Sequence, residues 1–136
     1  MEVRKILVPI DGTERSMHSL DFVKGSYDKD EVSVSIINVK ELVFIDGISM
    51  SDEIKTSEMI GKELLEKAKS YLEGYDVKGI FAFGYAGDEI VRRSKEEGTD
   101  LIVMTKSTKK GLTRIIGSCT SYVLKHAEAA VLIIPE

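Results

Sequence analysis

Residues 5–13, Lys5-Ile6-Leu7-Val8-Pro9-Ile10-Asp11-Gly12-Thr13, pass from a charge into a nearly continuous apolar run and stop at a turn pair. A strand with one wet face would alternate; Ile6 to Ile10 reads instead as a strand covered on both faces, as in a parallel sheet. Thr13 is the expected N-cap of a helix running to about Tyr27. Glu14 falls in its first turn, and Met17, Leu20 and Val23, with Phe22 beside them, form the inward stripe.

The same alternation of short β-branched runs and longer amphipathic stretches continues along the chain. Val32 to Val39 (VSVSIINV) starts by alternating and ends solidly apolar, a second strand. The segment Glu41 to Met50 is less regular and carries Phe44, Ile45, Ile48 and Met50, expected to complete the core or to form a partner patch. From about Asp52 to Glu73 the period is helical, through Met59 and Ile60, Leu64 and Leu65, Ala68, then Tyr71 and Leu72. Gly74 stops it. Val77 to Phe83 is a third strand. Asp88 is the expected cap of a helix from Glu89 to Glu97, ended by Gly98. Leu101 to Met104 is a fourth strand, followed by a basic loop, TKSTKKGLTR. Ser118 or Thr120 starts a helix through His126, and Ala130 to Ile134 is a last strand before Pro135. The order βαβαβαβαβ requires parallel pairing with right-handed crossovers. A single doubly wound α/β domain over residues 1–136, with helices on both faces of one sheet, is the expectation.

Composition bounds the function. Of 136 residues, 43% are hydrophobic and 31% charged, a globular balance. A net charge of −4 disfavours non-specific binding to nucleic acid or an anionic membrane. No apolar run approaches the ~20 residues of a membrane helix. One cysteine, Cys119, excludes an intrachain disulfide and suits a reducing compartment, and the N-terminus lacks the pattern of a signal peptide. A cytoplasmic protein is expected.

In a sheet of this kind ligands bind at the carboxyl ends of the strands. Two loops there have unusual composition. The helix start Gly117-Ser118-Cys119-Thr120 carries no acidic residue, offers two hydroxyls and follows Lys106, Lys109, Lys110 and Arg114, which makes it the better anion site. The first helix starts with Thr13-Glu14, whose carboxylate repels phosphate; Asp11 suits a ribose hydroxyl or an exocyclic amine. Each feature also has a plain structural meaning: a helix cap, a solvated loop, a turn. Cys119 near a helix N-terminus has a possible route to thiolate, but without a paired base a packed cysteine is the expectation. His18 and His126 fall on different helices, and His126 reads as compensation of a helix dipole. No G-x-G-x-x-G, P-loop or metal-ligand spacing occurs, strand three lacks a receiver-type aspartate, and no nucleophile–base pair is evident.

Taken together, KILVPIDGTERSMHSLDF, the connection Gly84-Tyr85-Ala86-Gly87-Asp88-Glu89-Ile90 and DLIVMTKSTKKGLTRIIGSCTSYVLKHAEAAVLIIP resemble the universal stress protein family. The resemblance implies an adenine-nucleotide alpha-hydrolase-like fold with strand order 3-2-1-4-5, a homodimer through Ala130–Ile134, and two crevice-forming loops. Its nucleotide-binding subgroup places adenosine at positions matching Pro9, Asp11 and Val39, and phosphates at positions matching Gly117, Ser118, Cys119 and Thr120. The subgroup's loop reads Gly, two residues, Gly, nine residues, then Gly-Ser or Gly-Thr. Here Gly117-Ser118 is kept, while the two glycine places hold Thr105 and Thr108, or Met104 and Ser107 if the nine-residue spacing is preserved. A Cβ there narrows the phosphate cradle. The resemblance therefore implies a regulatory, non-catalytic domain taking ATP, ADP or AMP with an altered triphosphate site, without a metal and with regulatory protein partners. A ligand-free interaction module is the alternative, and an ATPase ranks below both.

Overall fold

A computed structural model describes residues 3–42, 50–106 and 117–135. Five parallel strands, β1 (Arg4–Pro9), β2 (Val32–Lys40), β3 (Asp76–Phe83), β4 (Leu101–Thr105) and β5 (Ala130–Ile134), form one sheet. Their order is β3-β2-β1-β4-β5, so the chain reverses direction of travel between β1 and β4. Helices α1 (Glu14–Ser26), α2 (Met50–Ser70), α3 (Ala86–Glu97) and α4 (Ser118–His126) cover the two faces.

The two faces have separate cores. Met17, Leu20 and Val23 of α1 and Leu65 and Ala68 of α2 pack with Ile6, Val8, Val34, Ile36 and Val103. Ile90 and Val91 of α3 and Val123 of α4 pack with Leu7, Ile37, Ile102 and Met104 on the opposite face. Consecutive Ile36 and Ile37 are both sealed, one in each core, which is why the end of β2 is solidly apolar. Each such side chain contributes about 1.5–3 kcal/mol by leaving water.

Two details depart from the sequence expectation. The N-cap of α3 is Tyr85, and Asp88 lies inside the first turn, where its carboxylate accepts a 2.6 Å hydrogen bond from the Tyr122 hydroxyl. Asp88 is thus spent on holding α3 to α4. Met59 and Ile60 are 57% and 61% exposed. The buried line of α2 is Gly61, Leu65 and Ala68, continuing to Leu72 in the turn that follows the helix. Thr13 does cap α1, its side chain accepting from the Ser16 amide at 3.2 Å. Phe44, Ile45 and Ile48 lie outside the described residues, as do Lys109, Lys110 and Arg114. Among the described residues no helix is long and apolar enough to cross a membrane.

Candidate functional site

The sheet order brings the end of β1 beside the end of β4, and the first turn of α4 lies against that seam. These three segments and the end of β2 enclose a cleft of about 230 Å³. Pro9 and Asp11 line it from β1, Val39 and Ile37 from β2, and Met104 and Thr105 from β4. Gly117, Ser118, Cys119 and Thr120 complete it from α4. Nine of the eleven residues expected at the site therefore share one concavity; Ser107 and Thr108 lie outside the described residues.

Local bonding orients the walls. Ile10 donates its amide to the Ile37 carbonyl at 2.9 Å, and the Asn38 amide nitrogen donates to the Ile10 carbonyl at 2.9 Å. The chain then turns, and Asp11 Oδ1 accepts from the Thr13 amide at 3.0 Å and from the Thr13 hydroxyl at 2.6 Å. The Asp11 amide in turn donates to Ser16 Oγ at 3.2 Å. An aspartate held by its own turn keeps its second oxygen directed by backbone rather than by rotamer choice.

On the other wall, Gly117 caps α4 at φ 96°, ψ 154°, a conformation that disfavours any residue with a Cβ. The first turn of α4 contains no acidic side chain, and Lys125 and His126 fall in its last turn. No carboxylate of its own first turn offsets the positive end of the helix dipole there; the nearby acidic group is Asp11 of the facing loop, whose charge reaches Cys119. Thr120 is buried and donates its hydroxyl to the Thr105 carbonyl at 3.2 Å, fixing α4 to the end of β4. Thr105 is itself buried and borders the cleft at the end of β4.

Burial, with the charge of Asp11 second, pushes the Cys119 thiol up to about 11. The helix N-terminus does not win here: desolvation outweighs the dipole, and the thiol stays protonated at neutral pH. His126 accepts no metal-like constellation either; its Nδ1 lies 2.9 Å from the Tyr122 carbonyl and its ring stacks on Tyr122 at 4.1 Å. Among the described residues no cluster of three or more potential ligands stands ready for a metal.

Ile10, Ser16, Ala86 and Ile90 also line the cleft and escaped the sequence reading. Ser16 carried a signal, since it sits three residues beyond the cap Thr13. Ile37 was hidden inside an apolar run that gives no hint of which end is open.

Residues 2–135 match the universal stress protein family. Universal stress protein MJ0531 of Methanocaldococcus jannaschii is 30% identical over 96% of this chain and 81% of its own length. MJ0577 of the same organism is 29% identical over 96% of this chain and 94% of its own. The solved structure of MJ0577 superimposes with a TM-score of 0.76 at 27% identity, covering 98% of this chain and 96% of that one. Two more distant solved structures share the fold. One is a family protein of Arabidopsis thaliana with AMP bound, with TM-score 0.72, 17% identity and coverage of 96% and 90%. The other is the Archaeoglobus fulgidus protein in complex with dAMP, with TM-score 0.65, 17% identity and coverage of 98% for both chains. The match along nearly the whole chain, with the sheet order found here, shows that this chain belongs to the universal stress protein family.

Proposed function

We propose that this chain is a non-catalytic, homodimeric regulatory domain whose cleft takes an adenine nucleotide with a short phosphate chain. The observation that carries the proposal is the polarity of the cleft. One end holds Pro9, Asp11 and Val39, an apolar slot with one oriented carboxylate suited to the ribose or the exocyclic amine of adenosine. The other end is the amino terminus of α4, with Gly117 and Ser118, whose own first turn carries no acidic side chain. AMP and dAMP, the ligands of the two distant members, have one phosphate each. Thr105 and Thr108, or Met104 and Ser107, stand where the nucleotide-binding subgroup has glycines, and a Cβ in place of glycine favours such a short chain over a triphosphate.

A regulatory rather than catalytic role is supported by Cys119, whose raised thiol leaves the cleft without an activated sulfur nucleophile. Dimerisation is supported by the contrast between the two sheet edges. The β3 edge carries Asp76 and Lys78, charges that discourage strand addition; β5 is Ala-Val-Leu-Ile-Ile, without a charge. The acidic net charge and the single cysteine support a cytoplasmic setting with protein partners rather than nucleic acid or membrane.

Mass spectrometry of the small molecule released when the purified protein is denatured tests the proposal. An adenine mononucleotide in near-stoichiometric amount is expected. Protein that releases none, and then fails to take up added AMP, would favour the ligand-free interaction module instead.

A further inference from the structure

We infer that Tyr85 is a stacking residue that closes over a purine base at the mouth of the cleft; the inference rests on the nucleotide reading above. Tyr85 is 69% exposed, the largest exposure among the large apolar side chains of the described residues. Of those side chains (Val3, Met59, Ile60, Tyr122 and Leu124 are the others), it alone directly adjoins a residue of the cleft wall, Ala86.

Its place is fixed by the sheet. Val39 pairs with Ala82 and Lys40 with Phe83, and the Gly84 amide donates to the Lys40 carbonyl at 3.1 Å. Tyr85 therefore leaves β3 next to the end of β2, on the Val39 side of the cleft, where the base is expected, and away from the α4 phosphate end. Its backbone is extended at φ −84°, ψ 130°, and its carbonyl accepts the Glu89 amide at 3.0 Å, so the main chain is held while the ring remains in water. As the N-cap of α3 it makes no side-chain capping hydrogen bond, so capping does not account for a tyrosine here. An aromatic ring left in solvent on the residue next to the cleft-lining Ala86 gains burial when a flat base covers it, and stacking tolerates the phenol remaining wet.

The test is calorimetric titration of AMP into the full chain and into Tyr85→Ala and Tyr85→Phe. Roughly tenfold weaker binding is expected for Tyr85→Ala, with Tyr85→Phe restoring the wild-type affinity. Wild-type affinity in Tyr85→Ala, or equal weakening in both variants, overturns the inference while leaving the nucleotide reading intact. A wild-type chain that binds no AMP overturns both. A Tyr85→Trp variant gives an independent readout, because the chain contains no other tryptophan. AMP should quench its indole fluorescence; heat of binding without any spectral change contradicts stacking.

Discussion

The Thr120 hydroxyl donates to the backbone carbonyl of Thr105 across 3.2 Å, and both residues are buried. This bond joins the first turn of α4 to the last residue of β4, two segments that line the cleft. Thr120→Val keeps the shape and deletes the donor, leaving the Thr105 carbonyl without that partner. A loss of about 1–3 kcal/mol is expected in denaturant unfolding, with Thr120→Ser keeping most of the stability.

Gly61 faces the ring of Phe81 so closely that a Cβ on it would overlap the ring edge and approach Asn38 Oδ1 to 3.1 Å. Phe81 would have to shift its ring, which packs edge-on against Phe83 at 5.0 Å. Alanine at this position gains about 1 kcal/mol in helix propensity, and overpacking costs about 1–3 kcal/mol. Gly61→Ala should therefore lower the melting temperature, and adding Phe81→Leu should recover part of the loss. A melting temperature raised by Gly61→Ala alone would show that α2 stands further from β3 than described.

The same glycine explains where the sequence misled. Hydrophobic periodicity assigned Met59 and Ile60 to the inner face, but a helix that touches the sheet through Gly61 turns both of them outward. A residue without a side chain carries no hydrophobic signal, so the pattern cannot point to it. Strand identity was legible because Ile6–Val8, Ile36–Ile37 and Ile102–Met104 are sealed on both faces and leave no polar alternation. The two loops of the cleft were legible from composition; their meeting depended on β1 lying beside β4, which came from the family resemblance rather than from any single stretch. Asp88 was misassigned because an acidic residue early in a helix reads equally as a cap or as a first-turn residue. Its partner Tyr122 lies 34 positions away.

Cys119, with its thiol pushed up to about 11 by burial and then by Asp11, should react slowly with iodoacetamide at pH 8 and gain rate only as the pH climbs toward 11. The sign for stability follows. The unfolded thiol ionises first, so the contribution of the neutral folded thiol is complete below the unfolded value near 9 and is lost as pH rises through about 11. Cys119→Ser should remove this alkaline component while leaving the fold intact. Asp11→Asn should raise the alkylation rate modestly, because it removes the smaller of the two causes. Rapid alkylation of the wild type at pH 8 would contradict the assignment.

The edge strand β5 pairs with β4 from Leu101↔Ala130 to Thr105↔Ile134, and among the described residues no strand pairs with its other side. Sedimentation of the purified chain at micromolar concentration should give a dimer. Leu132→Lys places a charge in the middle of the strand and should shift the species toward monomer, with unchanged far-ultraviolet circular dichroism as the control. A wild-type monomer would contradict the dimer, and a dimer indifferent to this change would place the interface elsewhere.

The most direct test of the nucleotide reading is a calorimetric titration of AMP, ADP and ATP against the same preparation. The proposed reading predicts affinities within about tenfold of one another, a spread of about 1.4 kcal/mol, because the loop lacks the two glycines that let backbone approach the β- and γ-phosphates. Asp11→Ala should weaken AMP by at least about tenfold, the worth of a charged hydrogen bond of about 1.5–3 kcal/mol. Asp11→Asn, which keeps the acceptor for Thr13, separates loss of charge from loss of the turn. ATP bound at nanomolar affinity and far more tightly than AMP, or AMP binding indifferent to Asp11, would contradict the account.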